Sequence, residues 1–184
     1  TPASEPCDML SAITGNGTVF CAGADLRVIS QGGGAGIMTK RGGFAGVAQR
    51  EFPKPLLAAV NGAAVAGGFA LVLSCDLVVA ATEPVFGLPE ASRGLLAAAG
   101  GPIRLAKRVA LPVALEIGLT GAPITAERAY ELGLVNRIVA KEQVVPETLA
   151  LADRIARNSP TAVRVTRRLI REAVDAPEAE GWKK

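Results

Sequence analysis

The apolar positions of this chain fall in short runs punctuated by glycine, proline and asparagine, and their texture changes near Thr125. Before that point the runs are brief and continuous, as expected of strands buried on both faces. Met9-Leu10-Ser11-Ala12-Ile13-Thr14 predicts a strand entering the turn at Gly15-Asn16-Gly17. Leu56-Leu57-Ala58-Ala59-Val60 predicts another, led in as extended chain by Pro53-Lys54-Pro55, and Leu77-Val78-Val79-Ala80 a third. Asp25 is placed to cap a short helix over residues 26–30. Further helices are expected at 44–51, from Gly100-Gly101-Pro102 onward with Ile103, Leu105, Ala106 and Val109 as its apolar face, and at 112–119. Gly32-Gly33-Gly34-Ala35-Gly36 reads as a mobile loop. After Thr125, which caps a helix ending at Gly133, come a strand at 134–139 and two amphipathic helices at roughly 142–157 and 160–174. Residues 1–8 read as an irregular lead-in, and no exact internal repeat is visible. The expectation is an α/β chain with a core over 1–124 and a helical region over 125–184.

Composition narrows the chemistry. With 184 residues, 49% hydrophobic and 20% charged, the chain is long and apolar enough for a substantial core. Aromatic residues are only 4%, so the platforms that stack single-stranded bases are lacking, and a net charge of +3 is too small to argue for nucleic acid. The charge does suit an anionic small molecule. There is no histidine, which excludes Ser-His-Asp hydrolysis, Cys-His proteolysis and histidine metal sites. Cys7, Cys21 and Cys75 lie far apart without metal-ligand spacing; with no signal peptide in view they read as reduced thiols of a cytoplasmic protein. Asn16-Gly17-Thr18 matches a glycosylation sequon but reads as a turn, and no apolar run reaches transmembrane length.

The candidate site lies in residues 61–94. Asn61-Gly62 opens it as a turn, Ala66-Gly67-Gly68 leads into the apolar run Phe69 to Leu73, and Phe86-Gly87-Leu88-Pro89-Glu90 closes it. Glycines at 67 and 68 let backbone approach a ligand closely. A helix starting there carries unpaired N–H groups and a positive dipole end, a setting for an oxygen bearing negative charge. The same pair also suits tight strand–helix packing, and spacing alone leaves both readings open. Glu90 reads either as an acid–base group or as a surface carboxylate paired with Arg93. Asp25 reads as a cap, Cys21 and Cys75 as core residues, and the Lys and Arg residues of the last helices as a solvated face or as contacts for phosphate.

These residues together resemble the crotonase, or enoyl-CoA hydratase/isomerase, superfamily. Four stretches carry the likeness: Phe20-Cys21-Ala22-Gly23-Ala24-Asp25-Leu26; Ala58 to Gly62 with Ala66-Gly67-Gly68; Cys75-Asp76 with Phe86 to Glu90; and Leu119-Thr120-Gly121 with Ala129, Leu132, Gly133, Leu134 and Val135. They keep the family's order from about Ile13 onward. The resemblance implies a spiral of stacked ββα turns with C-terminal helices that assemble a homotrimer or a dimer of trimers. It implies an acyl-CoA thioester as substrate, with coenzyme A part of the substrate and no separate cofactor, metal, nucleic acid or membrane partner. It implies an oxyanion hole from the backbone N–H groups of Ala24 and Gly67, Glu90 as the catalytic acid/base, and Ala22, Asp25 and Gly68 beside the substrate.

Two departures follow from the same comparison. The first of the two glutamates usual in family hydratases maps to Ala70, which moves no proton, and its side chain is expected to face the reacting carbons opposite Glu90. The family's segment before residue 9, with its first spiral turn, has no recognisable counterpart. The expected activity is therefore of the hydratase/isomerase type. A Δ3,Δ2-enoyl-CoA isomerase, or a subunit that binds acyl-CoA without chemistry, are the alternatives.

Overall fold

The computed structural model describes residues 9–175; the lead-in at 1–8, with Cys7, lies outside them. Strands β1 (Ser11–Thr14) and β2 (Val19–Cys21) precede helix α1 (Leu26–Ser30). A small ribbon, β3 (Met38–Thr39) and β4 (Gly43–Phe44), follows. Then come β5 (Leu56–Val60), β6 (Ala63–Val65), α2 (Gly67–Ser74), β7 (Leu77–Ala81) and β8 (Val85–Gly87). The remainder is α3 (Gly101–Ala106), α4 (Leu111–Thr120), β9 (Ile124–Thr125), α5 (Ala126–Glu131), β10 (Arg137–Val139), α6 (Val144–Ala156) and α7 (Pro160–Ala173).

One parallel sheet has the order β1-β5-β7-β10; a second has the order β2-β6-β8-β9, with only β9 antiparallel. The chain steps from the first sheet to the second three times, at β1–β2, β5–β6 and β7–β8, and so winds a spiral of ββα turns. The repeat is absent from the residue pattern because what recurs is position in a sheet, which many small aliphatics satisfy. β5 is buried at all five positions and β7 at four, which is why they read as unbroken apolar runs; edge strand β1 alternates in exposure.

Side chains splice successive turns of the spiral where backbone pairing runs out. Asn61 Oδ1 accepts from Gly15 N at 3.1 Å while its Nδ2 donates to Gly17 O at 2.9 Å, so the corner of one turn holds the corner of the previous one. Asn136 Oδ1 accepts from Val78 N at 2.7 Å, and its own N–H donates to Val78 O. Asp76 Oδ2 accepts from Leu56 N at 2.8 Å and from Arg167 Nε at 2.8 Å, and its Oδ1 accepts from Arg171 Nε at 2.7 Å. That carboxylate ties the sheet to α7, a helix that buries none of its own residues, whereas α6 buries Val144, Thr148 and Ala152. Among the described residues no helix is long and apolar enough to cross a membrane.

The structure departs from the sequence expectations in several places, and β2, β3, β4, β6, β8 and β9 are short strands that the residue pattern does not predict. Residues 44–51 form no helix: Gly43, Ala45 and Gly46 hold φ of 63°, 53° and 71°, and Gln49 N closes onto Gly42 O, so the segment folds into the β3–β4 ribbon and tight turns. The expected mobile loop at 32–36 winds instead into a 3-10 turn, Gly33–Ile37. The strand at 134–139 is only Arg137–Val139, because the N–H groups of Leu134 and Val135 turn back to Ala129 O and close α5. The remaining helices and the caps at Asp25 and Thr125 lie where the sequence places them, to within a residue or two at most ends.

Asp76→Ala removes the acceptor of Leu56 N and the partner of a largely buried guanidinium. We expect a loss of about 3 kcal/mol in urea unfolding, with Asp76→Asn milder because its amide oxygen still accepts from Leu56. An unchanged denaturation midpoint in Asp76→Ala would refute this role for the carboxylate.

Candidate active site

The site is built where β6 gives way to α2. Ala66 N still donates to Gly87 O at 2.9 Å, so sheet pairing continues to the last residue before the helix. The chain then reverses at Ala66, which holds φ 53° and ψ −127°, a conformation costly for any residue with a Cβ. The helix that follows begins against other backbone. A Cβ on Gly68 would stand 1.9 Å from Cys21 O, and one on Gly67 would stand 2.6 Å from Phe44 Cε1 and Cζ. The loop after β2 closes in from the opposite side. Gly23 has φ 96°, and a Cβ there would lie 2.9 Å from Ala66 Cβ and 3.1 Å from Gly67 N. Contact this tight puts the N–H of Ala24, next in the chain, and the N–H of Gly67 on neighbouring backbones. Neither N–H donates to a protein acceptor among the described residues.

Both residues border a cavity of about 540 Å³, within the usual range of small-molecule sites. Glu90 borders the same cavity. It is carried there by buried Leu88, 2% exposed, and by a 3-10 turn, Ala91–Arg93; the N–H groups of Arg93 and of Leu95, just past the turn, donate to Glu90 O at 3.0 Å. Glu90 Oε2 is buried and has no hydrogen-bond partner. The side-chain pairing with Arg93 offered by the sequence is not formed among the described residues; only backbone links the two.

The cavity thus brings together Ala22, Ala24, Gly67 and Glu90. Asp25 and Gly68 stand outside its lining. Asp25 Oδ1 accepts from Arg27 N at 2.8 Å as the cap of α1, and Gly68 is buried against Cys21. Ala70 also lies outside the lining and is 1% exposed; Gly101, at the start of α3, lies beside it, and a Cβ there would make ordinary contact with Ala70 Cβ at 3.7 Å. Its side chain is core, not a wall of the cavity, because α3 covers that face of α2. Sequence reasoning missed Ile37, Met38, Phe44 and Arg93. The first three are placed by how the irregular 32–50 segment folds back on α2, for which no local pattern speaks, and Arg93 by the turn after β8.

The other reactive groups are occupied elsewhere. Cys75 is fully buried, and burial with Asp76 beside it pushes its thiol up to about 12, so it stays protonated and inert. Cys21 Sγ accepts from Gly23 N at 3.4 Å. No cluster of metal-ligating side chains is found among the described residues. A larger groove, about 1020 Å³, runs beneath α7. Its carboxylates, Asp76 and Asp175, are already paired with Arg167, Arg171 and Lys107, and its Arg104 and Arg108 donate to main-chain carbonyls. Desolvation first, and Arg171 second, lower the pKa of both those arginines.

Residues 11–183 match the sequence profile of a family described as enoyl-CoA hydratase/isomerase. The mevalonyl-coenzyme A hydratase of Aspergillus fumigatus is 42% identical over 165 residues, covering 89% of this chain and 61% of that protein. The carnitinyl-CoA dehydratase of Proteus mirabilis is 35% identical over 181 residues, covering 97% of this chain and 69% of that one. Among solved structures, an enoyl-CoA hydratase from Mycobacterium marinum superposes with a TM-score of 0.90 at 38% identity, covering 98% of this chain and 70% of the other. The chain therefore spans 61 to 70% of the length of these proteins.

The strained turn yields a signed expectation. Ala66→Gly removes the cost of a positive φ at the helix entry, offset in part by the greater freedom of glycine in the unfolded chain. We expect a net gain of about 1 kcal/mol in stability. A destabilised variant in urea unfolding would show that the Ala66 methyl contributes more through packing than its backbone geometry costs.

Proposed function

Since the chain belongs to the enoyl-CoA hydratase/isomerase family, we propose that it acts on an acyl-CoA thioester by moving a proton at the carbon next to the carbonyl. The observation that carries this reading is Glu90: a carboxylate bordering an apolar cavity, with one oxygen buried and unpartnered. Buried polar atoms without partners are rare in native proteins and signal either an absent ligand or a catalytic task. Ala24 and Gly67 border the same cavity, and in this reading their N–H groups receive the thioester oxygen. When the α-proton leaves for Glu90, negative charge moves onto that oxygen as an enolate. Preorganised backbone donors stabilise such charge by about 2.7–4 kcal/mol each. The Gly67 donor sits at the first turn of α2, where the helix dipole adds to the effect.

A single carboxylate suits some reactions of the family better than others. Adding water across a double bond uses one group to orient the water and another to manage the α-proton. Ala70 provides neither, and its buried side chain is outside the cavity lining. The arrangement favours returning the same proton to the γ-carbon, which shifts a double bond between the 3 and 2 positions. Glu90→Gln keeps the shape and removes the base. Turnover is expected to fall by roughly 10²–10⁴ while thioester binding persists. Crotonyl-CoA and a 3-enoyl-CoA assayed side by side, with α-proton exchange followed in deuterated water, give the measurement. Undiminished exchange in the variant would rule out Glu90 as the base.

Self-association belongs to the same proposal. Leu149 is 54% exposed and Ile170 64%, on the two helices expected to carry apolar surface, and Leu111 and Leu119 of α4 are more than 60% exposed as well. Symmetric assembly is the usual way such surface is covered. A trimer or a dimer of trimers is expected by light scattering; a monomer at micromolar concentration would exclude it.

A further inference from the structure

Among the described residues, the charged side chains that border the cavity are Glu90 and Arg93 alone; the other side chains around it are apolar. Both charges stand on the turn after β8, and that turn is tied down. Ser92 Oγ donates to Pro89 O at 2.7 Å, Arg93 N to Glu90 O at 3.0 Å and Gly94 N to Ala91 O at 3.2 Å. The chain just past α4 also presses on it: a Cβ on Gly121 would stand 3.3 Å from both Pro89 Cα and Ser92 Cβ. The turn is thus a rigid mount for two opposite charges, and they do not neutralise each other. Glu90 Oε2 has no partner, and the Arg93 guanidinium makes no ion pair or side-chain hydrogen bond among the described residues. Arg104 and Arg108 of the α3 region, by contrast, are engaged with main-chain carbonyls. The proposed proton transfer uses Glu90 and leaves the Arg93 charge without a task.

We propose that Arg93 receives a second carboxylate carried by the acyl group, so that the substrate class is a CoA monothioester of a dicarboxylic acid. The inference rests on the acyl-CoA reading above and adds the class of acyl group. A ligand that fills this cavity takes water from the guanidinium. A neutral tail leaves that charge uncompensated, whereas a carboxylate meets it with charge-assisted, bidentate hydrogen bonds. Spacing favours the acyl group over the phosphates of coenzyme A as the source of the anion. A 3-10 turn rises about 2 Å per residue, so Arg93 starts only about 6 Å along the chain from the base. A carboxylate a few carbons beyond the reacting carbon falls within that range, while the phosphates lie a whole pantetheine arm away from the thioester. Arg93 is a specificity-determining residue in this reading and takes no part in proton transfer.

Saturated thioesters, which carry no double bond to shift, separate binding from chemistry. The protein is titrated calorimetrically with CoA monothioesters of straight-chain diacids of about four to about six carbons, each against the monoacid thioester of equal carbon number. At least one diacid should bind about tenfold tighter than its monoacid, the size of one hydrogen bond to a charged group. In Arg93→Met that ratio should fall to about one, and Arg93→Lys, which keeps the charge and loses the planar fork, should retain part of it. No diacid preference in the native protein, or a preference that survives in Arg93→Met, overturns the proposal. The same acyl groups on N-acetylcysteamine, which has no phosphates, identify the source of the anion. If Arg93→Met weakens diacid and monoacid CoA thioesters alike and spares the N-acetylcysteamine thioesters, Arg93 holds the phosphates and the proposal is overturned. If it weakens every thioester alike on both carriers, Arg93 supports the shape of the site only, and the proposal is overturned as well. If no thioester binds, the acyl-CoA reading and this inference fall together; if thioesters bind without a preference for diacids, this inference falls alone.

Discussion

The site depends on one close contact between backbones. The loop after β2 and the first turn of α2 meet with no room for side chains: a Cβ at Gly68 would be 1.9 Å from Cys21 O, and one at Gly23 would be 3.1 Å from Gly67 N. Only glycine permits that approach. Because the two segments belong to successive turns of the spiral, the contact joins what the chain separates by more than forty residues. It leaves Ala24 and Gly67, whose N–H groups have no protein acceptor among the described residues, bordering one cavity. The positive φ of Ala66 is the local cost of turning the chain there, and the surrounding sheet holds it in place through the Ala66–Gly87 hydrogen bond.

The rest of the structure keeps that contact in register. β5 and β7 are buried almost throughout, so a one-residue slip would move buried side chains onto the wrong face and is strongly disfavoured. Asn61, Asp76 and Asn136 extend the pairing past the strand ends with side-chain hydrogen bonds, and Asp76 carries the tie on to α7. The carboxylate of Glu90 reaches the cavity because β8 ends at Gly87 and buried Leu88 pins the following turn. Positioning is thus mostly backbone work. The cavity is bordered by the backbone of Ala24 and Gly67 and by one carboxylate, Glu90, whose Oε2 is buried and without a hydrogen-bond partner.

What could be read from the sequence was whatever local chemistry decides. The unbroken runs of β5 and β7 were legible because burial on both faces leaves no polar positions. The caps at Asp25 and Thr125 were legible because a side-chain oxygen two or three residues ahead of an N–H is a local arrangement. The ordered motifs around Ala24, Gly67 and Glu90 pointed to the family and to three of the groups that border the cavity.

The tertiary structure alone decided the rest, for physical reasons visible at single residues. Residues 44–51 look helical by apolar spacing, yet Gly43, Ala45 and Gly46 adopt positive φ, and the segment becomes the ribbon that brings Phe44 against Gly67. Ala70 sits where a second acid would be sought, but α3 covers it and makes it core. Gly68 and Asp25 flank the site in sequence and do not line it, since one packs on Cys21 and the other caps α1. By itself the sequence determined the strands of the first sheet, the caps and the family, because these depend on neighbours along the chain; the short strands of the second sheet, β2, β6, β8 and β9, carry no pattern of their own. Which side chains share a cavity depends on contacts between distant segments, and only the folded spiral brings those segments together.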